Sequence, residues 1–165
     1  MESGNAGMRS GIVAEPPSGK GSVIPTAAGW TIVVVKHLRR VHTTLPEILS
    51  RANFMPAQLI TEDMSVERNN ICVIPRNCDL TLRDAHFRLN PVSKPQGWPN
   101  TITIFLNSLA ENWAGLRVAV ILSGVDSDGA AALRTIKAAG GITFAQKPET
   151  AVHPEMLATP SKPAM

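Results

Sequence analysis

The sequence predicts an α/β fold: a doubly wound, mostly parallel sheet with helices on both faces and a β-hairpin at one edge. Three observations carry this. The uninterrupted β-branched run "TIVVV" and the apolar run "VAVIL" suit strands buried on both faces. Between such runs lie segments with helical spacing, "TTLPEILSRANF", "TITIFLNSLAENW" and "GAAALRTIKAAGG". The 165 residues, 44% apolar and only 4% aromatic, are enough for one domain with an aliphatic core.

The first 29 residues hold six Gly and three Pro, with "EPPSGKG" among them, and read as a loop-rich entry or arm. Order begins at "WTIVVVKHL", where Ile32 to Val35 form the first buried strand. In the next segment Thr44 and Glu47 have capping-box spacing, and Ile48, Leu49 and Ala52 continue at helical intervals. "AQLI" and "NICVIP" are short strands. "DLTLRDAHFRL" alternates about Arg83-Asp84 as a hairpin does.

Ile102, Phe105, Leu106, Leu109 and Trp113 then fall on one helical face. "LRVAVIL" is a further buried strand. The helix after it ends at Gly140-Gly141, and "ITFAQ" is the last strand. Strands alternating with helices give a sheet whose ligands sit beyond the carboxyl ends of its strands.

Composition narrows the function. A net charge of +3, with "KHLRR" as the one dense basic cluster and no interleaved aromatics, gives no nucleic-acid surface; the cluster reads as a solvated loop, with a patch for an acidic protein partner as the alternative. No apolar run approaches a membrane span, and the N-terminal "MESGNAGMRSG" lacks a signal-peptide pattern, so a cytoplasmic protein without membrane insertion is expected. Cys72 and Cys78 lack metal-ligand spacing and read as two incidental thiols.

Two chemistry-bearing residues fall at strand ends. His37 follows "TIVVVK", and Asp128 lies in "SGVDSDG" after "RVAVIL". Taken singly, Asp128 is a helix cap for the segment that follows and His37 a strand-end residue. Taken together, an Asp that fixes an imidazole's tautomer and a His above the same sheet make two thirds of a hydrolytic triad. Ser and Thr are too plentiful for composition to pick the nucleophile. As a phosphate cradle "SGVDSDG" has too few glycines, and its aspartates would repel phosphate.

"TIVVVKHL", "ICVIPRNCDLTLRD", "FLNSLAE" and "ILSGVDSDGAAALRTIKAAGGITFAQKPETA" resemble, in that order, the catalytic domain of the bacterial chemotaxis methylesterase (CheB type), most of all those fused to receptor methyltransferases. The likeness covers about residues 23 to 156. It sets off residues 1–22 as a Gly/Pro-rich, divergent segment and 23–165 as a methylesterase-type domain shortened at its C-terminus.

The resemblance implies a serine hydrolase that removes methyl esters from glutamates on chemoreceptor cytoplasmic helices in chemotactic, two-component signal transduction. Some members also deamidate glutamines. It implies no metal or cofactor. Carried over by position, the family's triad falls on Ser10, His37 and Asp128. Its oxyanion-holding turn falls on Gly124, Val125 and Gly129.

Around Ser10 the sequence departs from the family: Ile12 and Val13 stand for a glycine pair, and Pro16 and Pro17 interrupt the expected helix. In the oxyanion turn Val125 and Asp126 stand where the family usually has Met and Gly. The resemblance therefore also admits a protein-binding module that keeps the fold and hydrolyses nothing.

Overall fold

The computed structural model describes residues 10–14 (backbone only), 29–36, 44–52, 55–93, 100–122 and 128–146. In chain order these form β1 (Ser10–Ala14), β2 (Thr31–Val35), α1 (Leu45–Ala52), β3 (Ala57–Leu59), β4 (Asn70–Val73), β5 (Cys78–Arg83), β6 (His86–Pro91), α2 (Thr101–Asn112), β7 (Val118–Ile121), α3 (Ala132–Ala138) and β8 (Ile142–Ala145). Six strands make one sheet in the order β3-β4-β2-β1-β7-β8.

The sheet is parallel except at β1, which runs antiparallel to both β2 and β7. Alternation along β2 and β4 decides which side chain meets which layer. Val33, Val35, Cys72 and Ile74 face the core built with α2 and α3. Ile32, Val34, Ile71 and Val73 face the smaller core that holds Leu45 and Leu49 of α1. Helices thus cover both faces, as the two-sided apolar runs require.

β1 is the element that sequence reasoning does not anticipate. "SGIVA" lies in the Gly- and Pro-rich region read as an entry arm, yet it occupies the middle of the sheet. Its local preference for a strand is weak, and pairing with β2 on one side and β7 on the other settles its conformation.

The hairpin also departs from expectation. β5 and β6 form a separate two-stranded sheet, so they do not extend an edge of the main one. Their two-residue turn is Asp84-Ala85, both at positive φ, one position beyond the predicted centre. Leu80, Leu82 and Phe87 are buried, and their side of the hairpin packs with Phe105 and Leu109 of α2. Because that apolar face lies against the helix layer, the hairpin completes the core from outside the sheet.

Gly140 ends α3 as predicted. It adopts φ 80°, its N–H reaches Lys137 O at 3.0 Å, and Gly141 N–H reaches Ile136 O at 2.9 Å. This pair of bonds is the Schellman closure. Arg117, just before β7, places its guanidinium over two helix C-termini. It donates to the carbonyls of Leu109, Ala110 and Trp113 at the end of α2, and to Ala139 O at the end of α3. A cation at these carbonyl ends satisfies orphan acceptors and opposes both helix dipoles.

Candidate active site at the rim of the sheet

The strand register sets the site. Ser10 at the start of β1 pairs with Val35 at the end of β2 and with Ile121 at the end of β7. The carboxyl ends of β2 and β7 are therefore level, separated by one strand, or about 10 Å. His37 lies two positions past Val35, outside the described residues, as do Gly124 and Val125. For Ser10 the backbone position is given. Asp128 and Gly129 are described in full.

Asp128 is 4% exposed and does not cap α3, the helix that follows it. The N-cap of α3 is Ala131, which makes no side-chain cap bond. The carboxylate turns instead to α2: Oδ2 accepts the N–H of Ile102 at 2.8 Å and Oδ1 that of Thr103 at 2.9 Å. α2 has Asn100 at its N-cap with no side-chain bond of its own, so Asp128 satisfies two of the orphan donors from a distant loop. The positive end of the helix dipole favours the ionised carboxylate. A carboxylate accepts about four hydrogen bonds, so two from α2 are compatible with a third from an imidazole.

Gly129 returns the contact. Its N–H donates to Thr103 Oγ1 at 2.9 Å, which assigns that N–H to the turn and not to an oxyanion. Its φ of 90° is one that glycine adopts without strain. A Cβ built there would lie 2.5 Å from Ile102 Cγ2, so the close approach of turn and helix also requires glycine.

A second buried carboxylate stands at the same helix end. Asp79, on β5, accepts from Thr101 Oγ1 at 2.9 Å and from the N–H and hydroxyl of Ser93 at 2.7 and 2.6 Å. It binds the hairpin to the first turn of α2. The sequence pattern places Thr101 and Thr103 in a helix and Asp79 in a hairpin, with no local signal that links them. Among the described residues no three His, Cys, Asp or Glu side chains group as metal ligands. No helix among them is long and apolar enough to cross a membrane.

A mostly parallel α/β sheet with strand ends and a buried aspartate gathered at one rim defines a class of protein, the α/β domain with a rim-located site. Comparison makes the assignment specific. The CheB methylesterase family model matches residues 22–161, and the chain belongs to that family.

The fold matches the crystal structure of the Thermotoga maritima CheB methylesterase catalytic domain with a TM-score of 0.64 and 23% identity, over 76% of this chain and 70% of that one. A protein-glutamate methylesterase/protein-glutamine glutaminase of the group 3 operon of Pseudomonas putida is 28% identical over 153 residues, 86% of this chain and 45% of the relative. An uncharacterised 104.1 kDa protein of the hypE 3′ region in Rhodobacter capsulatus is 32% identical over 107 residues, 65% of this chain and 11% of the relative. The chain thus spans less than half the length of these two curated relatives.

Proposed function

We propose that this domain hydrolyses glutamyl methyl esters on the cytoplasmic helices of a chemoreceptor or similar signalling protein, with Ser10, His37 and Asp128 as its triad. The division into a divergent segment 1–22 and a methylesterase-type domain 23–165 belongs to the same reading, with β1 of that segment contributing a strand to the domain's sheet, as does a cytoplasmic location. The observation that carries it is the register in which Ser10, the end of β2 and the end of β7 lie level at one rim.

In this mechanism His37 accepts the Ser10 proton as the serine oxygen attacks the ester carbonyl. Backbone N–H groups of the 124–125 turn hold the resulting oxyanion. Collapse of the tetrahedral intermediate breaks the C–OCH₃ bond, and His37 returns the proton so that methanol leaves. Water, deprotonated by His37, then cleaves the acyl-serine to free serine and a glutamate carboxylate. Asp128 orients the imidazole and stabilises its cation. Glutamine deamidation follows the same steps with ammonia as the leaving group.

The competing reading is a binding module without turnover. It is favoured by one observation: Ser10 opens an antiparallel strand, whereas nucleophilic serines of α/β hydrolases usually sit on a turn between a strand and a helix. Methanol release from methylated receptor, measured for the protein and for His37→Ala, separates the two. The hydrolase releases methanol, and the variant loses it by a factor of about 10³ or more. Equal rates in the two proteins leave the binding module.

A further inference from the structure

We infer that Thr103 is a positioning residue for the triad carboxylate, an inference that rests on the function proposed above. Three hydrogen bonds join the first turn of α2 to the Asp128-Gly129 turn, and Thr103 takes part in two of them. Its backbone N–H donates to Asp128 Oδ1, and its hydroxyl accepts the N–H of Gly129. The third runs from Ile102 N–H to Asp128 Oδ2.

The two Thr103 contacts act on different degrees of freedom. Bonds to both carboxylate oxygens fix the plane and direction of the Asp128 side chain. The bond to Gly129 N–H fixes the peptide that joins Asp128 to Gly129, and with it the Asp128 backbone from which the side chain projects. Gly129 needs such restraint: at φ 90° it has more conformational freedom than any other residue type, and no β-carbon to limit it. Without the hydroxyl the carboxylate keeps its two helix N–H groups but hangs from a looser peptide.

Displacements of about 1 Å at a group that orients a general base cost on the order of 10²-fold in rate. α2, in turn, is anchored through Phe105, Leu106 and Leu109, which are all in the core. Thr103 therefore transmits the rigidity of the packed helix to the carboxylate. It touches no substrate and exchanges no proton.

The test compares Thr103→Val, which keeps the shape and removes the acceptor, with Thr103→Ser, which keeps the hydroxyl. Both are read by kcat, KM and the midpoint of the His37 ring titration followed by NMR, with Asp128→Asn as the control for the pair itself. Thr103→Val lowers kcat about 10- to 100-fold at unchanged KM. It also shifts the His37 midpoint downward, in the direction Asp128→Asn does and by less; Thr103→Ser restores both. A Thr103→Val protein with wild-type kcat and a wild-type His37 midpoint, beside an Asp128→Asn protein that shifts it, overturns the role of Thr103 alone. An Asp128→Asn protein whose His37 midpoint stays put overturns the triad reading and takes this role with it.

Discussion

The Asp128 carboxylate and the backbone N–H of Ile102 meet at 2.8 Å across 26 positions of chain, fastening the turn beyond β7 to the first turn of α2. Replacing Asp128 by Asn puts an amide NH₂ opposite one of two helix N–H donors. One of those donors then lacks an acceptor, at about 1–3 kcal/mol of stability. In the proposed triad the same change lowers kcat by about 10⁴. Urea denaturation reads the first effect and methanol release the second, and the two need not scale together.

Gly129→Ala is expected to destabilise through two routes at once. Alanine resists φ 90°, and its methyl would meet Ile102 Cγ2 at 2.5 Å. Backbone strain of this kind costs about 1–3 kcal/mol. For a domain of this size each kcal/mol lowers Tm by about 2–4 °C, measurable by calorimetry.

Ser108 gives a third expectation. From inside α2 its hydroxyl accepts the N–H of Leu82 at 2.8 Å and donates to Leu82 O at 3.2 Å. Ser108→Ala strips both main-chain groups of a buried hairpin residue of their partner. The loss is about 1–3 kcal/mol. It appears first as faster amide exchange at Leu82, before any global change in the denaturation midpoint.

Arg117→Met keeps the aliphatic length and removes the guanidinium that serves the carbonyls closing α2 and α3. Hydrogen bonds from charged donors contribute about 1.5–3 kcal/mol each, so a loss of at least about 2 kcal/mol is expected. The urea midpoint falls while the m-value holds, because the surface exposed on unfolding is unchanged.

Cys72 makes the domain sensitive to alkali. Burial in the core, and secondarily the charge of Glu67, push its thiol from an ordinary value of 9.0 up to about 12. The folded form thus holds the proton more tightly than the unfolded one. Its contribution to stability is complete below pH 9 and declines between 9 and 12, by up to about 1.4 kcal/mol per pH unit. Cys72→Ala removes this slope, and the native thiol resists alkylation at neutral pH.

Much of the architecture is written locally. The runs at Ile32–Val35 and Val118–Ile121, the periodic face from Ile102 to Leu109 and the Gly140-Gly141 stop depend on neighbours within a few positions, and each appears where the pattern puts it. What sequence reasoning lacks is longer in reach. "SGIVA" becomes a strand only because two distant strands leave a slot between them. The hairpin stands apart from the sheet, with Leu80, Leu82 and Phe87 in one core cluster with Phe105 and Leu109 of α2, residues distant from them in the chain.

At the site, the placement of Asp128 at a strand end was legible from the "SGVDSDG" turn. Its choice of α2 over the adjacent helix was not. Nothing within four residues of Asp128 distinguishes Ile102 and Thr103 as acceptors' partners; folding brings them there. The role of Asp79 is hidden from local pattern for the same reason, since its partners Ser93 and Thr101 are 14 and 22 positions away.

Strand β1 has a consequence for how the chain assembles. It is the sole main-chain bridge between the β3-β4-β2 ribbon and the β7-β8 ribbon among the described residues. It also precedes every partner in the chain. During synthesis "SGIVA" can zip onto "TIVVV" early, but its other flank stays open until the segment around Ile121 emerges. Loop-closure entropy of that size slows the final docking. Until then two bare strand edges are exposed to neighbouring chains, the kind of template that seeds intermolecular association. Trimming the chain through Ala14 makes that passing vulnerability permanent.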